Sequence, residues 1–210
     1  MNLAGMREIV RRDLHDEDES GYRWTDSELD RHIAHAVRDF SEAIPLEEKT
    51  SLTTSSGSRE IDISSLTDLV MVEAVEYPLD HFPKSYQRFS LWAGKLTLLG
   101  AEVPDGSDAD VYYGKLHTLD SEASTIPTRY EDLIATGAAG YAALEWAVYA
   151  VNQVNVGGEA TQRQFLTLGR EKLREFRREL DRFSRRNRVR LGQLYEPYRL
   201  PVSKTTDPGP

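Results

Sequence analysis

"RWTDSELDRHIAHAVRDFSEAIP", Arg23 to Pro45, decides the fold class through its own pattern and through the change of pattern at its end. Thr25 and Glu28 stand three residues apart, the spacing of a capping box in which each side chain satisfies the other residue's backbone N–H. Leu29, Ile33, Ala36, Val37, Phe40 and Ile44 then recur at helical spacing and draw one apolar stripe along a polar surface. Pro45 lacks the backbone donor a continuing helix needs and ends it. Directly afterwards the apolar period changes from about 3.6 residues to about 2. From Lys49 to Leu119 the chain reads "TSLTT", "REIDI", "VMVEAVEYP", "RFSLW", "KLTLLG" and "ADVYYGKLHTL", short β-branched or aromatic runs parted by Gly, Pro, Ser or Asp. They predict five or six strands in a small antiparallel sheet or sandwich. "SLWAGKLTL" predicts a hairpin turning at Ala93-Gly94.

Outward from this switch the chain is helical. Leu3, Met6, Val10 and Leu14 mark a first helix, broken by "HDEDESG". Past "STIPTRYED" a long Ala-rich helix runs from Tyr130 to about Val154, and its small residues Ala135 to Ala139 and Gly140 suit the close approach of another helix. "NVGGEA" separates it from a second long helix ending near Leu191. "LGQLYEPYRLPVSKTTDPGP" is too proline-rich for a helix and reads as an extended segment. The fold class is therefore α+β: a mainly helical bundle with an inserted small antiparallel β subdomain and an extended C-terminal tail. Its parts are residues 1–48, 49–120, 121–191 and 192–210. Trp24, Phe40, Trp146 and Phe176 are assigned to the core.

With 210 residues and 39% hydrophobic content the chain can bury a real core. It has no cysteine, which removes disulfides, thiolate metal sites and thiol nucleophiles together. "MNLAGMREIVRRDLHDEDESG" has no continuous apolar run and many acids, so a cytoplasmic, non-secreted protein is expected. Histidines 15, 81 and 117 lie beside no nucleophile or paired-carboxylate pattern, and no catalytic residue, cofactor or metal is assigned. Glu28, His32, His35 and Asp39 share one helix face with ligand-like spacing. However, eleven residues rising about 1.5 Å each separate the ends too far for one ion. "PDGSDAD" (104–110) resembles a calcium loop in composition only and reads as a hairpin loop. "LIATGAAGYAALEWAVYAV" (133–151) has the length of a membrane span, but Glu145 and its small residues point to a buried helix instead.

The charge is unevenly distributed. Between Arg163 and Arg190 eleven cations meet four acids, a net +7, in a chain of net −9, which leaves −16 elsewhere. Leu166, Gly169, Leu173, Phe176, Leu180, Phe183 and Asn187 alternate by three and four along this segment, the narrow seam of a coiled-coil-like contact. Most of the helix surface is thus left for solvent or a partner. Glu171, Glu175 and Glu179 each precede an arginine by three residues, pairs worth about 0.2–0.5 kcal/mol apiece. Arg185, Arg186, Arg188 and Arg190 have no such account. The guanidinium fork suits carboxylate or phosphate, so three readings stand: a solvated face, a protein contact, or a nucleic-acid contact. The negative remainder opposes free DNA binding.

Two stretches suggest a family. "RWTDSELDRHIAHAVRDFSEAIP" resembles the Trp-Ser/Thr-Asp-x-Glu-Leu helix start of the head–tail connector, or adaptor, proteins of tailed bacteriophages. "STIPTRYEDLIATGAAGYAALEWA" (124–147) resembles their Ile-Pro-x-x-x-Glu-Asp-Leu-Ile-x-x-Gly-Ala-Ala segment. The β region is larger than the short β element of the family's simplest members. The resemblance implies a non-enzymatic structural protein of the virion neck, made in the host cytoplasm. Such proteins form a ring, usually a dodecamer, beneath the portal protein. A C-terminal segment docks on the portal, the other side receives the stopper or tail protein, and DNA passes through the lumen without sequence-specific binding or any membrane role. On this reading Arg177, Arg178, Arg182, Arg185 and Arg186 make subunit or portal contacts, and Tyr195, Tyr198 and Leu200 anchor the tail to the portal. The alternative is a nucleic-acid-binding regulatory protein using the Arg-rich helix 163–190; a third is an enzyme of unknown chemistry with a β-rich substrate domain.

Overall fold

The computed structural model describes residues 1–82, 84–100, 103–150 and 159–194, with the backbone alone for 150, 159–162 and 186–194. Two compact units divide the described residues: Met1–Leu46 with Leu116–Ser184, and Glu47–Lys115 with residues 185–194.

The first unit is helical. Helix α1 (Leu3–Leu14) begins at Asn2, whose side chain accepts from the Gly5 N–H, and ends at His15 in the left-handed region. That reversal returns the Asp16 N–H to the Arg11 carbonyl at 2.9 Å. Helix α2 (Asp26–Ala43) carries the capping box formed by Thr25 and Glu28. A 3-10 turn at Thr128–Tyr130 leads into α3 (Glu131–Ala150), and α4 (Glu159–Leu194) comes after it. The apolar stripes of these helices share one core, in which Met6, Leu29, Ile33, Phe40, Ile134 and Phe176 are fully buried. Of the aromatic residues assigned to the core, Trp24, Phe40 and Phe176 are buried; Trp146 is half-buried and packs on Trp24 with ring centroids 5.6 Å apart.

The second unit is built from β1 (Leu46–Thr53), β2 (Glu60–Asp62), β3 (Leu69–Glu76), β4 (Phe89–Trp92), β5 (Lys95–Leu98) and β6 (Asp108–Lys115). They make two three-stranded sheets, β1-β6-β3 and β2-β5-β4. β3 pairs antiparallel with β6, and β5 with both β2 and β4. Ala93 and Gly94 both have positive φ (48° and 75°), the signature of the two-residue turn expected there. Ile61 and Leu96 from one sheet share a core with Val75 and Val111 from the other. "PDGSDAD" is not a hairpin loop. It carries the chain from β5 in one sheet to β6 in the other, and its last three residues are already strand. Tyr77 and Ser107 hold Asp105 there, and these hydrogen bonds, led by Ser107, lower its carboxyl pKa to about 2.

The helix α4 runs on to Leu194, three residues past the expected end. The extended tail, with Tyr195, Tyr198 and Leu200, lies outside the described residues.

Candidate functional site

The seam on α4 meets α3 through glycines. A Cβ added at Gly137 would lie 2.9 Å from the Phe176 ring, at Gly140 2.9 Å from Leu173, and at Gly169 2.9 Å from Leu144. No side chain fits at any of the three without displacing its neighbour. The Ala- and Gly-rich composition of α3 therefore lets α4 approach closely, and the contact sets the rotation of α4 about its axis. Leu173, Phe176 and Leu180 are buried, Leu166 and Phe183 partly so; the Asn187 side chain lies outside the described residues.

That rotation decides where the arginines go. Counting about 100° per residue from Leu173, Arg177, Arg170 and Arg174 lie about 40–100° to one side and Arg178 slightly further round, whereas Lys172 lies about 100° to the other. Arg170, Arg174, Arg177 and Arg178 line an open groove together with Leu144, Leu173 and Asp181. On the opposite flank Lys172 pairs with Asp13 of α1 at 2.8 Å.

The arginines expected to make contacts separate by environment. Arg177 donates to the Tyr141 hydroxyl, which itself donates to Asp39 at 2.5 Å. Burial and the Asp39 carboxylate raise the Tyr141 pKa, with Arg177 opposing. Arg178 is exposed, 3.8 Å from Glu179; Arg182 pairs with Glu179 at 3.0 Å and lies 5.2 Å from the Phe183 ring centre. Arg185 is exposed, and the Arg186 side chain lies outside the described residues. Among the described residues no ion pair joins Glu171 to Arg174 or Glu175 to Arg178, so two of the three expected intrahelical pairs do not form. Arg170 and Arg174 therefore belong to the exposed cationic set, although sequence spacing alone assigns Arg174 to Glu171. The signal that finds them is helical phase relative to the Gly-rich seam.

The ligand-like face of α2 is put to other uses. Glu28 caps its own helix through Thr25. His35 stacks on Tyr141 with ring centres 4.0 Å apart. His32 is buried with Nε2 2.5 Å from Glu145 Oε2, close but poorly aligned for a hydrogen bond. Burial lowers the His32 pKa in spite of Glu145. Burial pushes Glu145 up, but Arg31 and His32 outweigh it and hold the carboxyl below its ordinary value. Among the described residues no group of three or more His, Cys, Asp or Glu could hold a metal ion, and no helix is long and apolar enough to cross a membrane.

One feature that spacing alone does not show is the anchoring of the loop after α1. Asp16 is buried. It accepts from Arg11 at 2.8 Å and from the Arg23 backbone N–H at 2.7 Å. Asp18 accepts from the Ser20 hydroxyl and N–H, and Glu17 and Glu19 are exposed beside it.

Residues 1–190 match the SU10 adaptor protein family, a span that includes all the described strands and nearly all of α4. No curated protein matches the chain. With 190 of its 210 residues matched, the chain belongs to the SU10 adaptor protein family, a family of phage adaptor proteins.

Proposed function

We propose that this adaptor is a structural protein of the virion neck that closes into a ring, a dodecamer by family resemblance, beneath the portal protein. The ring joins capsid to tail and lines the channel through which DNA leaves. Its C-terminal segment, 192–210, docks on the portal through Tyr195, Tyr198 and Leu200, and its other side receives the stopper or tail protein. The protein is made in the host cytoplasm and acts without catalysis.

The observation that carries this reading is the exposed arginine flank of a helix fixed by close packing, in a chain whose other residues sum to −16. A ring built by head-to-tail contacts needs two different, complementary patches on each copy. A cationic flank on an otherwise acidic subunit supplies them. The negative balance also suits a DNA conduit, because a basic wall would hold the phosphates.

Mixing the purified chain with portal rings of its own phage and measuring the mass of the complex tests the reading. A discrete multi-copy ring on the portal is the expected result. A chain that ignores portal rings but binds short duplex DNA near physiological salt, with a steep salt slope, is instead a nucleic-acid-binding regulator using helix 163–190.

A further inference from the structure

We infer that the groove beside Arg170 and Arg174 receives the acidic loop Asp16–Ser20 of the next copy, so that this pair of surfaces forms the ring's repeating contact. The inference rests on the ring assembly proposed above and identifies the two faces that build it.

The two surfaces lie on opposite flanks of α4. The groove opens on the side of Leu173 that faces Leu144 and Tyr141 of α3. The other flank is tied to the end of α1 by Lys172 and Asp13, and the acidic loop begins three residues after that tie. A head-to-tail ring requires its two complementary patches to face away from each other, since patches on one side would close a two-fold dimer instead.

Their charges are complementary and poorly satisfied within the chain. The groove presents four arginines against Asp181. Among the described residues Arg170 and Arg174 make no ion pair, and Arg178 has only Glu179 at 3.8 Å. On the loop, Glu17 has a single cation, Arg12, at 3.6 Å, and Glu19 has none among the described residues.

The loop is also built to present its acids. Asp16 turns inward and is held by Arg11 and by the Arg23 and Trp24 backbone N–H groups. Asp18 fixes the next turn through Ser20. Glu17 and Glu19 are thereby held outward on a backbone that loses little freedom when it docks. Leu144 and Leu173 also line the groove, and apolar side chains beside an ion pair strengthen it.

The test uses two charge reversals and their combination in the full chain, each mixed with portal rings of its own phage. Arg170→Glu with Arg174→Glu lowers the fraction of rings loaded about tenfold, and Glu17→Lys with Glu19→Lys does the same, because like charges then face each other. All four changes in one chain restore loading to within about threefold of the wild type, since every contact again pairs opposite charges. Asp16 and Asp18 are left intact to keep the loop's fold, and unchanged helicity by circular dichroism separates lost contact from lost structure. If a reversal does disturb the fold, Arg174→Gln and Glu19→Gln replace it, with a smaller loss expected for each.

Wild-type loading that neither reversal changes overturns the inference while the ring assembly stands. Loss with the arginine change that the fourfold variant does not restore assigns those arginines to the portal and also overturns it. A wild-type chain that never loads overturns the ring assembly itself.

Discussion

The sheet unit and the helical unit handle charge differently. In the sheet unit the partly buried charges are matched locally. Glu76 accepts from Lys84 and Tyr112, Asp110 from Lys49 and Ser51, and Glu48 from Lys115 and Tyr113. Glu76 and Lys84 bind closely enough that Glu76, joined by Tyr112, holds the lysine well above its ordinary pKa. The helical unit matches Arg11 with Asp16 and Arg7 with Asp30 in the same way, yet leaves the groove side of α4 with a surplus of cations. The contrast separates charges that hold a fold together from charges that remain available to a partner. Shape does in the helical unit much of what pairing does in the sheets: α3 and α4 meet over glycines, and the Arg177–Tyr141 hydrogen bond lies beside that seam.

The most damaging single change attacks that shape. Phe176→Ala leaves a cavity against Gly137 and destabilises the helical unit by about 3–5 kcal/mol, read from chemical denaturation monitored by helical circular dichroism. Overfilling is the next effect in size. Gly140→Ala pushes a methyl group to 2.9 Å from the Leu173 side chain and 3.2 Å from its backbone nitrogen, at a cost of about 1–3 kcal/mol. In the sheet unit Glu76→Gln removes the carboxylate charge that faces Lys84 and costs about 1–2 kcal/mol, read from the change in denaturation midpoint. A loss as large as that for Phe176→Ala would show that pairing, too, contributes on the scale of a packed aromatic ring.

The dependence on pH sharpens the same contrast. His32 and His117, both in the helical unit, have pKa values lowered by burial from the ordinary 6.5. Below about pH 6.5 the unfolded chain binds protons that these folded imidazoles do not, so helical stability falls as pH drops from there toward the folded pKa values. In the sheet unit the carboxyls of Glu48, Glu76, Asp105 and Asp110 are lowered instead. Their contribution is present above the unfolded carboxylate range and is lost as pH falls through the folded values. Denaturation at pH 7 and pH 5.5, resolved by NMR signals from each unit, should show weakening in the helical unit only. His117→Asn should reduce that pH dependence even where it lowers stability at pH 7. Equal weakening of both units would contradict the assignment.

The smallest effect is expected at the surface of the sheet unit. Trp92, at the hairpin tip, is 83% exposed, and Trp92→Ser should shift stability by no more than about 0.5 kcal/mol.

Local patterns are legible in the sequence because local chemistry makes them. The Thr25 and Glu28 capping box, the Ala93-Gly94 turn and the α4 seam each depend on residues within a turn or two of one another. The division of the strands between two sheets is not legible. Pairing of β3 with β6 joins residues far apart in sequence, and alternation does not encode the partner. For the same reason 104–110 is a crossover where the sequence suggests a hairpin loop. At the candidate site, three-residue spacing suggests that Arg174 and Arg178 are paired along their own helix. Their true environment depends on how Gly137, Gly140 and Gly169 rotate α4 against α3, a tertiary fact carried only indirectly by small residues. The anchoring of Asp16 by Arg11 is hidden inside an acidic run that reads as a helix breaker.

Electron cryomicroscopy of the assembled neck, at a resolution that shows side chains, would reveal what the arginine groove of each copy touches. Arg170 and Arg174 should lie within about 4 Å of carboxylates on the adjacent copy. A ring in which they face only water or the DNA would contradict it.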